Sequence, residues 1–331
     1  MLPFSILDLA PIAEGSSIKD ALENSKRLAI QAEQSGYQRV WLAEHHGMLG
    51  VASSATAIVL GHIAAATTKI RIGSGGVMLP NHSPLVIAEQ FGTLATLFPN
   101  RVDLGLGRAP GTDMTTARAL RRNLASEVDN YPADIRELQH YLGDTQAGQN
   151  IIAVPGANTH IPLWLLGSSL YSAQLAAKLG LPYSFASHFA PEQLFDAISL
   201  YRAGFKPSKQ SATSYVMAGV MAVVADTDEE AEYLFTSVQQ QFINLRTGVN
   251  RPFARPVDDL SKVCSAAEQA MLAHILRYAM VGSKQTVTDK LSQFIEATQV
   301  DELIVSMPIH DIQARLSSVK LLSQTGLMQL S

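Results

Sequence analysis

Residues 17–46 read SIKDALENSKRLAIQAEQSGYQRVWLAEHH, and the fold is decided in this stretch. Ile18, Ala21, Leu22, Ser25, Leu28, Ala29 and Ala32 recur at helical spacing and make one small-to-apolar stripe, as expected of a helix laid against a core. Ser17 is placed to cap the first turn, Asp20 adds favourable charge there, and Gly36 stands where a left-handed residue ends a helix. The chain then passes directly into 39–43, a short run that reads as a strand buried on both faces. That run ends on Glu44, His45 and His46, so helix, buried strand and polar strand end follow in close succession.

The same unit repeats along the chain. Segments 4–9, 39–43, 69–74, 101–106, 161–166, 182–186, 215–224 and 302–307 are all rich in branched aliphatics. Ser83-Pro84 opens another helix, with Ile87, Phe91, Leu94 and Phe98 turned inward. A last helix over about 311–324 carries Ile312, Leu316 and Val319 on one face and stops short of Gly326. Strict strand–helix alternation demands a parallel sheet with right-handed crossovers, and eight repeats can close the sheet and remove its edges. The expectation is an α/β protein, a (β/α)8 TIM barrel formed as one domain over residues 1–331, with an open doubly wound sheet as the rival. Insertions are expected after strands 4 and 7, in stretches 109–160 and 225–283, each holding extra helices. Within the second, 246–259 contains Gly248, Asn250, Pro252, Arg255 and Pro256 and reads as a polar excursion over the barrel mouth, a candidate lid.

Composition narrows the function classes. Hydrophobic residues make up 47% of the chain and charged residues 16%, far from a disordered composition. The 25 basic and 29 acidic residues form no long run of either sign, so nothing invites a nucleic acid or another polyanion. No apolar stretch approaches the ~20 residues needed to cross a bilayer, and the first ten residues lack the basic and apolar blocks of a signal peptide. No membrane association is expected, and the location is read as cytoplasmic. Cys264 is the single cysteine, which excludes internal disulfides and thiolate-rich zinc sites; it reads as a small buried apolar residue.

In such a barrel, chemistry sits at the carboxyl ends of the strands. The residues following the aliphatic runs are polar or glycine-rich: Asp8, Glu44-His45-His46, Ser74-Gly75-Gly76, Gly107-Arg108, Gly167-Ser168-Ser169, Ser187-His188 and Pro308-Ile309-His310. Gly105-Leu106-Gly107-Arg108-Ala109-Pro110-Gly111 is not a dinucleotide fingerprint, because its third glycine is displaced and a proline intrudes where the helix should open. What remains is Arg108, a fixed cation suited to a phosphate or to a surface ion pair. Gly167-Ser168-Ser169 precedes a helical run and offers backbone donors to an anion, or a simple N-cap. Gly75-Gly76 permits close approach to a flat ligand or a tight turn. His45 and His46 diverge in an extended segment, so at most one faces the mouth, which argues against a two-histidine metal site; no metal is expected. A histidine there can exchange a proton near neutral pH. Asp8 and His188 are placed at the mouth as substrate-facing candidates.

With these residues in hand, the chain resembles the bacterial luciferase-like flavin monooxygenases, in the group that works without a partner subunit of different sequence. The resemblance rests on Trp41-Leu42-Ala43-Glu44-His45-His46, on Gly73-Ser74-Gly75-Gly76-Val77-Met78-Leu79-Pro80, on Arg101-Val102-Asp103-Leu104-Gly105-Leu106-Gly107-Arg108, and on Val281-Gly282-Ser283. It covers nearly the whole chain. It implies that His45 lies beside a flavin and serves its proton chemistry, and that Arg108 with Gly167, Ser168 and Ser169 binds the FMN phosphate. It also implies that Gly75-Gly76 lies against the isoalloxazine ring with an unusual cis peptide. The implied reaction uses reduced FMN, supplied by a separate NAD(P)H-dependent flavin reductase, and molecular oxygen to oxidise a small organic substrate such as an aldehyde or other carbonyl compound. A homodimer is likewise implied. Gly107 stands where the luciferase catalytic chain has cysteine, and Gly167 where it has glutamate, so the resemblance does not extend to light emission. Two alternatives stay open: a deazaflavin-dependent hydride-transfer enzyme of the same superfamily, and a non-catalytic flavin-binding protein.

Overall fold

The computed structural model describes residues 1–109, 111–120 and 130–330. Its strands are β1 (Phe4–Asp8), β2 (Arg39–Leu42), β3 (Arg71–Met78), β4 (Val102–Gly107), β5 (Leu163–Gly167), β6 (Tyr183–Phe185), β7 (Val216–Ala225), β8 (Ala279–Ser283) and β9 (Glu302–Ser306). The helices are α1 (Ile18–Gln34), α2 (Thr56–Ala64), α3 (Pro84–Leu97), α4 (Met114–Leu120), α5 (Tyr131–Leu142), α6 (Leu170–Leu179), α7 (Leu194–Gly204), α8 (Asp228–Thr247), α9 (Ala266–Ile275), α10 (Lys284–Thr298) and α11 (Ile312–Ser323). Strand order is β6-β5-β4-β3-β2-β1-β9-β7-β8, and a further β6–β7 pairing closes eight parallel strands into a barrel, leaving β8 outside. The expected TIM barrel is therefore present, with its eight barrel strands where the aliphatic runs place them and insertions after β4 and β7.

The second insertion holds a strand absent from the sequence expectation. β7 is ten residues long, and only its first half is used by the barrel, where Met217–Met221 pairs with β9. Its outer half, Met221–Ala225, pairs with β8. The candidate lid segment is tied down at both neighbours. Phe253 exchanges backbone hydrogen bonds with Ile12 and Glu14 after β1 (2.8 Å each), and the Asn250 amide bonds Gly47 and Leu49 after β2 (2.7 Å each).

Local punctuation explains α1. Ser17 and Asp20 form a reciprocal capping box, and Ala21, Ser25, Leu28, Ala29 and Ala32 are buried. Ile18 is 61% exposed, because the helix begins there, ahead of the positions that meet the barrel. β3 differs more. The aliphatic run predicts an end at Ser74, but the strand continues to Met78, with a register shift against β4 between Ser74 and Val77 and a cis Gly75–Gly76 peptide.

The barrel interior is layered. At the amino-terminal floor, Arg39 grips both carboxylate oxygens of Glu302 (2.8 and 3.0 Å) and one of Asp103 (2.7 Å), while Arg71 also bonds Asp103 (2.5 Å). Ser5 and Tyr215 donate to Glu302 as well. Above this floor Leu7, Trp41, Trp164, Met217 and Ile304 fill the centre, with Trp164 edge-on to Trp41 and to Tyr215 at 5.2 and 5.6 Å. The polar strand ends lie above that plug.

Candidate active site

The end of β2 is held from three directions. Glu44 is buried, and its Oε1 accepts from Nε2 of both His46 (2.7 Å) and His82 (2.8 Å), while Oε2 accepts the Met78 backbone N–H (3.0 Å). Burial alone would raise the Glu44 carboxyl, but these donors outweigh it and hold its pKa below the usual value. The Ser53 hydroxyl donates to the Ala43 carbonyl (2.6 Å) and the Ser54 hydroxyl to the His45 carbonyl (2.9 Å). This bracing turns His46 aside and leaves His45 half-buried, with Nδ1 enclosed and without a hydrogen-bond partner among the described residues. The divergence of the two histidines is as the extended backbone requires. Sequence reasoning missed His82, which comes from the turn after β3; with Glu44 and His46 it makes a two-histidine, one-carboxylate cluster whose ligand atoms lie within 4.8 Å of one another. Hydrogen bonds from both imidazoles to the carboxylate close that cluster on itself.

Two imidazoles share the mouth. Burial pushes the His45 pKa down, with Glu44 opposing and His46 reinforcing the shift. His188, after β6, has its Nδ1 enclosed and unpartnered among the described residues, and its pKa falls to about 4, chiefly by burial and further by the charge of His45. Its place depends on Gly219 of β7, where a Cβ would come within 2.3 Å of His188 Nδ1. Both rings are therefore neutral at neutral pH and can act as proton acceptors or as neutral donors.

Across the mouth, Arg108 lies 4.3 Å above the ring of Tyr171 in the first turn of α6. Ser169 is the N-cap of that helix, yet its side chain makes no capping bond, so the first-turn N–H groups remain available. Gly167 lets α6 approach, since a Cβ there would sit 2.0 Å from Ser172 Oγ. Arg108, Gly167, Ser168 and Ser169 thus come together as expected from their sequence positions. A guanidinium beside an open helix N-terminus fits a phosphate, and enclosed imidazole nitrogens fit a polar ring edge; together they suit a flavin mononucleotide.

One expectation needs correction. Asp8 does not face the mouth: it is fully buried, accepting from Arg315 (2.7 Å), Ser25 Oγ (2.5 Å) and the Ala10 N–H (3.1 Å) in the layer between barrel and helices. The signal was available, because Arg315 shares the face of Ile312 and Val319 in α11 and a cation on an apolar stripe needs a buried partner. Gly75 and Gly76 also serve packing: a Cβ at Gly75 would lie 2.6 Å from Leu7, and one at Gly76 would lie 2.7 Å from the Gly105 carbonyl.

A family model described as luciferase-like monooxygenase matches residues 2–302. The chain belongs to that family. The chain is 51% identical over 320 residues to an Escherichia coli protein described in the same words, covering 97% of this chain and 96% of that one. It is 32% identical over 333 residues to the N-acetyl-S-alkylcysteine monooxygenase of Bacillus subtilis, covering 99% of each. Among solved structures, apo-MsnO8 superposes with a TM-score of 0.91 at 35% identity over 100% of both chains. Structures at 16% identity that share only the fold include a Pseudomonas putida Baeyer-Villiger monooxygenase in complex with FMN (TM-score 0.73, 99% of each chain) and an F420-dependent alcohol dehydrogenase (TM-score 0.66, 96% and 97%). The family model and the Escherichia coli and Bacillus subtilis relatives are described as monooxygenases.

Proposed function

We propose that this chain binds reduced FMN, delivered by a separate NAD(P)H-dependent flavin reductase, and uses oxygen to oxygenate a small organic substrate without emitting light. The observation that carries the proposal is the stacking of Arg108 on Tyr171 at the open N-terminus of α6, a built site for the terminal phosphate that FMN has and riboflavin lacks. When bound, reduced FMN supplies the electrons that activate oxygen. The chain's own contributions are distinct. Arg108 and the α6 N–H groups would hold the phosphate, the cis Gly75–Gly76 segment would border the ring, and neutral His45 would take up or return a proton at its Nδ1. The segment at 250–253, sewn to the loops after β1 and β2, helps to exclude water.

The full-length likeness to an N-acetyl-S-alkylcysteine monooxygenase supports a thioether as the oxidised centre, alongside the carbonyl compounds expected from family resemblance. A homodimer in the cytoplasm and a single-domain chain complete the reading. Among the described residues no helix is long and apolar enough to cross a membrane.

Anaerobic titration with reduced FMN, followed by oxygen and a simple methyl thioether, tests this. Tight binding with sulfoxide formed is the expected outcome. Binding without any oxygenated product points to a flavin-binding protein, and binding of the deazaflavin in place of FMN points to hydride transfer.

A further inference from the structure

The end of β2 gathers a donor set that the proposed oxygenation does not use. Glu44 Oε1 lies 2.7 Å from Nε2 of His46 and 2.8 Å from Nε2 of His82, and the three atoms are all within 4.8 Å of one another. Among the described residues this is the one group of three or more histidine, cysteine or carboxylate side chains so gathered. The expectation of no metal rests on the divergence of His45 and His46, but here the second imidazole comes from His82, in the turn after β3.

The same three atoms can serve as a clamp or as a chelate. A neutral imidazole carries one proton and can move it from Nε2 to Nδ1. With both protons on Nδ1, two nitrogen lone pairs face the carboxylate oxygen, an arrangement that repels unless a cation stands between them. Binding then releases no proton, because each ring keeps its own. The ligand positions are also held from behind. Glu44 Oε2 accepts the Met78 N–H (3.0 Å), the His46 N–H donates to the Gly111 carbonyl (3.3 Å), the His46 carbonyl accepts from Thr112 Oγ1 (2.8 Å), and the His82 N–H donates to the Leu79 carbonyl (2.9 Å). Such outer contacts orient the ligands of protein metal sites.

Access is from one side. The Glu44 side chain is 2% exposed, that of His46 14% and that of His82 28%, so the carboxylate is sealed and the imidazoles border solvent. A tetrahedral ion with ligands about 2.0–2.1 Å away needs them about 3.3 Å apart, so each ring has to withdraw from the carboxylate by about 0.5 Å, a small side-chain rotation. Two imidazole nitrogens with one carboxylate oxygen suit borderline ions, whereas Mg2+ and Ca2+ demand more oxygens than Glu44 offers. The geometry points to a binding site for a borderline divalent metal ion, Zn2+ foremost, formed by Glu44 Oε1, His46 Nε2 and His82 Nε2 with water completing the shell. The ion joins the end of β2 to the turn after β3 and braces the backbone on which His45 stands. This inference is independent of the flavin reading.

Calorimetry on the full chain, treated with a chelator and then titrated with Zn2+ or Mg2+ in the absence of flavin, tests it. One Zn2+ per chain is expected, bound about 100-fold or more tighter than Mg2+. In His46→Gln and His82→Gln the amide N–H still donates to Glu44 and keeps the clamp, but the amide nitrogen has no lone pair for a metal. Each should weaken Zn2+ about 100-fold or more, at or beyond the upper end of what losing an outer partner costs. His160→Gln, which removes the histidine of an exposed pair with Asp144, should leave the affinity as it was. Saturating Zn2+ should raise the melting temperature of the parent and not that of His82→Gln. Absence of stoichiometric binding, or an affinity unmoved by both ligand variants, overturns the inference. Cobalt(II) gives a check on the unaltered chain by nuclear magnetic resonance: paramagnetic shifts should fall on the rings of His46 and His82, and shifts confined to the exposed His62, His160 or His274 assign the ion to the surface and overturn it.

Discussion

His45 owes its neutral state to burial, which disfavours the imidazolium more than the Glu44 carboxylate favours it. Its replacement by alanine should lower turnover by about 10²–10⁴-fold, the range of a lost proton-transfer group, while the dissociation constant for reduced FMN moves little. Unchanged turnover in a steady-state oxygen assay would remove its role. His188 makes a prediction in pH. Its folded pKa of about 4 lies below the ordinary 6.5, so the unfolded chain takes up the proton first as pH falls. Stability from this group is complete above pH 6.5 and is lost as pH drops toward 4, by up to about 3 kcal/mol. Denaturation of His188→Gln beside the parent protein across that window should show the parent's stability relative to the variant rising with pH and levelling off above pH 6.5. Arg108→Ala should weaken FMN about 10- to 100-fold, as loss of a charged hydrogen bond does, and leave riboflavin affinity unaltered; equal weakening of both would place Arg108 elsewhere than at a phosphate.

At the scale of elements, the Glu44 clamp joins the end of β2 to the turn after β3 through three donors. Glu44→Gln sets one amide against a donor and should cost about 1–3 kcal/mol in urea denaturation. The element pattern itself was legible. α1 announces both its ends in Ser17, Asp20 and Gly36, and each barrel strand is a compact aliphatic run, because both strand faces are buried in a parallel barrel. β8 was not legible. Ala279–Ser283 is short and pairs along one edge only, with a stretch of β7 that lies beyond the barrel, so no run of its own sequence distinguishes it from a helix approach. The end of β3 is hidden for a related reason. Two glycines look like a turn, but here each is demanded by close neighbours in the barrel wall. At the candidate site, strand-end position singled out His45, Arg108 and Ser169 because each stands just after an aliphatic run. His82 escaped, since its partner Glu44 is set by tertiary contact and lies far away in sequence.

The whole barrel depends on charges it could not expose. Arg39 satisfies both Glu302 and Asp103 in the floor, and its guanidinium also lies 4.9 Å from the Trp164 ring. Arg39→Met would leave two buried carboxylates short of their cation and should lower unfolding free energy by about 3–5 kcal/mol in guanidinium titration, far more than an exposed arginine would. A loss below about 1 kcal/mol would show that Arg71 alone sustains the floor.

That same floor decides traffic. With an ion-paired base and two edge-on tryptophans above it, the barrel is stoppered at its amino-terminal end among the described residues. On the proposed function, cofactor, oxygen, substrate and product would all use the opposite end, so whatever lodges deepest would be first in and last out.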